Sequence, residues 1–204
     1  MSHFPYCIEP EYSPYPGRYY VGNWLYSGTG YSSPIPSGRE PWRAFDGEPG
    51  TYTNVGYDGY GWGTLTIADT EDEDNKHYLL SHYTIQARAD TAFRAPPNWY
   101  IVTYDGTAHV SDERSAQSWT AGEIKTFYFD EPVWSSRLEW HNDYIPSNGY
   151  EIALITVYYT RAARNIWVYK SGVWESVTDI WAYKSGAWQP VSSVDVNKDG
   201  WKPI

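Results

Sequence analysis

Hydrophobic and polar residues alternate in short runs through the middle of this chain. Thr64-Leu-Thr-Ile67 alternates, as do His82-Tyr-Thr-Ile-Gln-Ala-Arg88, Trp99-Tyr-Ile-Val-Thr-Tyr104 and Lys125-Thr-Phe-Tyr-Phe129. Arg137-Leu-Glu-Trp140 and Ile152-Ala-Leu-Ile-Thr-Val-Tyr158 complete the set. A period of two puts successive side chains on opposite faces of a strand. Asp46-Gly47, Asp58-Gly59 and Asp105-Gly106 supply turn signals between many of these runs. No window holds a helical period over three turns. Residues 1–40 are rich in Pro, Gly, Tyr and Ser and read as a long loop with one strand at 19–26. Many short strands between turns predict an all-β chain, an antiparallel sandwich or jelly roll.

The pattern changes after Arg161-Ala-Ala-Arg-Asn165, a brief polar break read as a linker at 161–165. Ile166-Trp-Val-Tyr-Lys-Ser-Gly-Val-Trp174-Glu-Ser-Val177 returns fourteen residues later as Ile180-Trp-Ala-Tyr-Lys-Ser-Gly-Ala-Trp188-Gln-Pro-Val191. A third, imperfect copy runs over 194–204 and carries Trp201. Each copy reads as a short β-hairpin turning at Ser-Gly. A unit this small cannot bury a hydrophobic face alone, so it must stack on its copies, on the preceding domain or on other chains. Trp167, Trp174, Trp181, Trp188 and Trp201 are its candidate packing and anchoring residues. The chain therefore divides into a domain over 1–160, the linker, and three repeats over 166–204.

Composition sharpens this picture. The chain has 204 residues, enough for one sizeable core and an appendage. It holds 12 Trp and 21 Tyr but only 5 Phe. Tyr and Trp pair an apolar body with a polar edge and serve binding surfaces as well as cores. A net charge of −10 argues against nucleic acid, which needs a basic footprint, and against docking on anionic lipid. Asp69-Thr-Glu-Asp-Glu-Asp-Asn75 reads as a solvated acidic loop, with a divalent-ion site as the alternative. Cys7 is the single cysteine, so no internal disulfide forms. The N-terminus shows no signal peptide, and no stretch has the length of a membrane span.

Ala44-Phe-Asp-Gly47 with Thr51-Tyr-Thr53, then Gly61-Trp-Gly-Thr-Leu-Thr-Ile-Ala68, then Tyr83-Thr-Ile-Gln-Ala-Arg88 follow one another through the central segment. In these motifs and their order the segment resembles the discoidin or coagulation-factor type C family, with its galactose-binding-like fold. Arg94-Ala-Pro-Pro-Asn-Trp99-Tyr-Ile-Val-Thr-Tyr-Asp105-Gly106 continues the resemblance, over roughly residues 20–160. It implies an eight-stranded antiparallel jelly roll, non-catalytic and used for adhesion to carbohydrate, lipid or protein. Many members hold a structural calcium through a glutamate of the last strand, where this chain has Leu154. No cofactor is expected; Asp46 and Thr51 are the residues that would hold an ion, without that carboxylate. The membrane-binding members also carry apolar spikes and a flanking disulfide, which this chain lacks.

By position in that fold, ligand loops would fall near 24–31, 56–60, 90–97 and 141–148. Sugar recognition needs an aromatic face and planar polar groups for hydroxyls. His141, Asn142 and Tyr144 offer that mix, with Tyr57, Tyr60 and Arg94 to complete it. Trp62 and Trp99 sit in strand-like motifs and are assigned to the core.

The repeats are similar to short aromatic–Lys–Gly–Trp repeats near the ends of tailed-bacteriophage virion proteins. They are more distantly similar to choline-binding modules, whose use of the tryptophans in a cation–π cage is the lesser reading. The combined expectation is a non-enzymatic protein of a phage tail, baseplate or fibre, made in the host cytoplasm and located in the virion. Its jelly roll would bind host-surface glycan, and its repeats would anchor it to other virion proteins or sister chains in a homo-oligomer. The alternative is a structural decoration or adaptor protein making only protein contacts. Enzyme signals are absent: the five His show no metal-ligand spacing, and neither a Gly-x-Ser-x-Gly nor a phosphate loop occurs.

Overall fold

A computed structural model describes residues 2–8, 10–12, 18–30, 35, 37–56, 62–71, 78–90, 94–144, 149–161, 166–170, 173–177, 181–184 and 187–190. The chain divides into two units, Met1–Arg161 and Ala162–Ile204.

The first unit is a sandwich of two antiparallel sheets. One sheet has five strands: β1 (Ser2–His3), β12 (Tyr150–Arg161), β7 (Tyr78–Ala87) and β10 (Ile124–Trp134) in that order, with β5 (Thr53–Val55) also on β12. The other has seven strands in the order β2 (Glu11–Tyr12), β3 (Arg18–Val21), β4 (Trp24–Thr29), β6 (Gly63–Asp69), β11 (Arg137–Asn142), β8 (Trp99–Tyr104) and β9 (Ala108–Arg114). A short 3-10 helix, Pro41–Phe45, precedes β5. The antiparallel-sandwich reading of the pattern is therefore met, with five and seven described strands in the two sheets where the resemblance implies eight in all.

Alternation explains which side chains fill the space between the sheets. Tyr83, Ile85, Phe127, Ile155 and Val157 point inward from the five-stranded sheet, and Leu65, Ile67, Ile101, Leu138 and Trp140 meet them from the other. Trp99 is 2% exposed and takes its expected core place. Its indole N–H donates to the Tyr83 hydroxyl at 2.8 Å, and that hydroxyl donates to Asp112 at 2.5 Å. The polar atoms of Trp99 and Tyr83 are thus paired across the core, whereas the Trp140 indole N–H has no partner among the described residues.

The described residues among the N-terminal forty depart from the expected loop. Residues 19–26 form two strands rather than one, β3 and β4, paired from Arg18↔Ser27 to Val21↔Trp24. Ser2 and His3 pair with the end of β12. Phe4 is then buried against Trp24 at 4.7 Å, Tyr78 at 5.3 Å and Tyr159 at 5.4 Å. Tertiary pairing and this aromatic plug, neither of which leaves a local period, place these described residues.

Cys7 is fully buried beyond the plug, its amide bonded to the Phe45 carbonyl at 2.7 Å. Burial first, and the nearby Asp46 carboxylate second, push its thiol up to about 12. Thiolate is the reactive species. The native protein should therefore leave Ellman's reagent unreacted at mildly alkaline pH and release one equivalent in denaturant; prompt reaction of the folded chain would contradict the burial.

In the second unit, β13 (Ile166–Lys170) pairs with β14 (Val173–Val177), and β15 (Trp181–Lys184) with β16 (Ala187–Pro190). Their registers are equivalent: Tyr169 lies across from Trp174, and Tyr183 across from Trp188. The third copy, with Trp201, lies outside the described residues. Among the described residues no helix is long and apolar enough to cross a membrane.

Candidate functional site at the loop end of the sandwich

Strand register brings five connections to one end of the sandwich. Thr29 of β4 pairs with Thr64 of β6, Thr64 with His141 of β11, and His141 with Tyr100 of β8. Trp99 pairs with Arg114 at the end of β9. On the other sheet Ala87, Ile152 and Thr53 mark the same end. The strand ends that flank the predicted loops at 56–60, 90–97 and 141–148 all lie here, while 57–60, 91–93 and 145–148 lie outside the described residues. The segment 24–31 arrives only with its second half, because Trp24 pairs with Asp69 at the opposite end.

At this end the outward face of the seven-stranded sheet carries an aromatic and polar patch. Leu138, Trp140 and Asn142 of β11 point inward, so Arg137, Glu139 and His141 face out. The His141 ring stacks on Tyr100 at 5.0 Å and 19°. The Tyr100 hydroxyl donates to Asp143 Oδ1 at 3.1 Å. The Thr29 and Thr64 hydroxyls are 2.8 Å apart beside them. Trp62 stands one residue before Gly63, the partner of Asn142, which sets it abreast of Asp143. Its side chain is not core: Trp62 is 49% exposed. Tyr144, next along the chain, is 80% exposed. Two accessible aromatic side chains thus border an imidazole, a carboxylate and three hydroxyls.

Glu139 supports this patch from below. Its carboxylate contacts Arg137, lies 2.7 Å from His141 Nε2 and accepts from the Tyr104 hydroxyl at 3.0 Å. Burial alone would raise the Glu139 carboxyl, but His141 and Arg137 outweigh it and hold the group below the usual carboxylate range. A depressed folded pKa contributes stability fully above the unfolded value of about 4.3 and loses it as pH falls through the folded value. Glu139→Gln should therefore show a flatter loss of stability on acidification. Urea midpoints compared at mildly acidic and strongly acidic pH check this; equal losses in variant and parent would remove Glu139 from the acid limb.

The other sequence candidates are placed differently. Asn142 is buried, its amide donating to the Asn98 carbonyl and its oxygen accepting from the Tyr144 amide at 2.8 Å. It shapes the turn beneath Tyr144 and does not face solvent with His141. Arg94 and Arg88 converge on the buried Glu151, at 2.7 and 2.9 Å, and Arg88 also lies 3.8 Å from the Tyr52 ring centroid. Arg94 is thus committed to fastening the 88–98 connection to β12. Tyr57 and Tyr60 lie outside the described residues.

Two glycines fix the backbone here. Gly149 has φ +72°, and a Cβ on it would lie 2.0 Å from Asn54 Oδ1. Gly30 has φ +78°, and a Cβ there would lie 2.3 Å from the Trp62 carbonyl oxygen.

The predicted ion-binding pair does come together. Thr51 Oγ1 donates to Asp46 Oδ2 at 2.6 Å, and the Glu48 amide donates to Asp46 Oδ1 at 2.8 Å. Both carboxylate oxygens are occupied by protein donors, and burial pushes the carboxyl up. This closed turn does not fit a calcium cradle as arranged, and among the described residues no three His, Cys, Asp or Glu converge for a metal. Of the acidic run, Asp69 accepts from Asn23 and from the Tyr78 hydroxyl, each at 2.7 Å; residues 72–75 lie outside the described set.

No protein-family model and no curated protein matches this chain. Solved structures do share its fold. The family 32 carbohydrate-binding module of Clostridium perfringens NanJ, in complex with galactose, is 17% identical with a TM-score of 0.52, over 66% of this chain and 93% of that one. A second family 32 module from C. perfringens, in complex with GalNAc-β-1,3-galactose, is 14% identical with a TM-score of 0.54, over 67% and 96%. A fucolectin from striped bass (Morone saxatilis) serum is 14% identical with a TM-score of 0.54, over 70% of this chain and 50% of that one. At these identities the likeness speaks for the galactose-binding-like sandwich itself.

Proposed function

We propose that the jelly roll is a carbohydrate-binding module and that its site is the outward patch around Trp62, Tyr100, His141, Asp143 and Tyr144. The observation that carries this reading is the pair of accessible aromatic side chains at the loop end, where burial would be the ordinary fate of Trp. A pyranose ring stacks its C–H face on an aromatic surface, while carboxylate, imidazole and hydroxyl groups take its hydroxyls. Asp143 and Glu139 on a chain of net charge −10 disfavour sulfated and uronic sugars, so the ligand class is neutral glycan. Glycan-binding structures of the same fold support the reading. An array of neutral and acidic glycans tests it: neutral hits are expected, and a blank array or only acidic hits would overturn it.

The chain is further read as a bacteriophage virion protein that meets host-surface glycan, with the repeats as its attachment to the particle. Two hairpins of equivalent register support a repeated attachment element. A two-stranded hairpin is marginal by itself in water, which favours a partner surface for each. Many copies on one particle would turn weak single-site contacts into firm adhesion. Deletion of 166–204 should then prevent incorporation into particles while leaving glycan binding intact; undiminished incorporation would remove the anchoring role.

A further inference from the structure

The polar side chains that Trp62 and Tyr144 border direct their hydrogens into the protein. Burial first, and Asp143 second, push the Tyr100 hydroxyl up, so it stays protonated and donates to Asp143 Oδ1 at 3.1 Å. Against its burial, His141 and Arg137 keep the Glu139 carboxyl below the usual range, so it is ionised and can only accept. The hydrogen of the 2.7 Å contact between His141 and Glu139 therefore sits on Nε2. The Asn142 amide donates inward to the Asn98 carbonyl. Arg137, two outward positions back along β11, contacts Glu139 and lies over the Tyr104 ring at 4.4 Å.

What this floor offers a ligand is lone pairs. A neutral imidazole with its hydrogen on Nε2 has a bare Nδ1 that can only accept, and here Nδ1 has no partner among the described residues. The His141 side chain is 20% exposed. Asp143 is exposed, and its Oδ2 receives no hydrogen bond from the described residues. The Thr29–Thr64 pair keeps one rotatable O–H, which suits a donor or an acceptor and so selects neither.

We infer that this site reads two sugar hydroxyls as donors, one to His141 Nδ1 and one to Asp143 Oδ2, and refuses glycans whose corresponding oxygens are O-acetylated or O-methylated. The inference rests on the carbohydrate reading above and adds to it the substitution pattern of the ligand. A substituted oxygen sets lone pair against lone pair, and a site built to hydrogen-bond a hydroxyl rejects an analogue without it strongly. Methyl gluco-, galacto- and mannopyranosides, with their monodeoxy and monodeoxyfluoro derivatives, are the probes. Each is titrated calorimetrically into the full chain at about pH 8, where an imidazole is ordinarily neutral. Fluorine can accept a hydrogen bond but cannot donate one. Two ring positions are expected at which the deoxy and the deoxyfluoro sugar both bind about tenfold or more weakly than the parent. Asp143→Asn, at an exposed position, supplies an N–H and should narrow the gap between parent and fluoro sugar at one of the two positions. Fewer than two such positions, or a gap that Asp143→Asn leaves unchanged at both, overturns the inference alone so long as Trp62→Ala still weakens the parent sugar. If none of the parent sugars binds, or Trp62→Ala leaves their binding unchanged, the carbohydrate reading falls and the inference with it.

Discussion

Trp62→Ala is expected to remove most glycan binding while leaving the fold intact. Trp62 is half exposed and precedes β6 rather than lying within its ladder, so the substitution opens no core cavity and breaks no strand pairing. It deletes the wider of the two accessible ring systems described at the loop end, an indole. Central aromatic contacts of this kind are worth about 2 kcal/mol, or roughly thirtyfold in affinity. Calorimetry with the best neutral hit measures the loss, and thermal unfolding checks that the melting temperature stays put. Tyr144→Ala should weaken binding less, because at 80% exposure its ring is less held by packing than that of Trp62. If Trp62→Ala binds as tightly as the parent, the patch is not the site.

Gly30→Ala is expected to damage both stability and binding. Gly30 sits in left-handed backbone, which costs a residue with a Cβ about 1–2 kcal/mol. The added carbon would also lie 2.3 Å from the Trp62 carbonyl oxygen and 2.9 Å from Gly63 Cα. Both are backbone atoms and cannot rotate aside, so β4 and the start of β6 must separate. The total cost should reach about 3 kcal/mol, with Trp62 displaced from its position abreast of Asp143. Chemical denaturation and the same calorimetry read the two effects together. A variant of parental stability would mean that the Gly30–Trp62 approach does not constrain the site.

Much of this fold could be read directly from alternation. β8 begins and ends where its period does, and β6, β11 and β12 extend their predicted runs by only a few residues. β9 was not anticipated, because His109-Val-Ser-Asp-Glu-Arg114 is polar on both faces, as an edge strand exposed to water tends to be. The parity of the period also held site information that motif reading overrode. Trp62 shares parity with Thr64 and Thr66, opposite to Leu65 and Ile67, which places it outward rather than in the core. The same parity separates His141 from Asn142, so the two cannot present one surface. Arg94 was legible as a loop arginine, but its commitment to Glu151 depends on residues 57 positions apart and leaves no local trace.

A neutral glycan should touch this chain at the loop end of the seven-stranded sheet. Backbone and side-chain NMR shifts, followed while the best neutral hit is titrated into the full chain, locate that contact most directly. Perturbations concentrated at Trp62, Thr64, Tyr100, His141, Asp143 and Tyr144 are the predicted result. Perturbations confined to the opposite end of the sandwich, around Trp24 and Tyr78, or to the repeats, would contradict it.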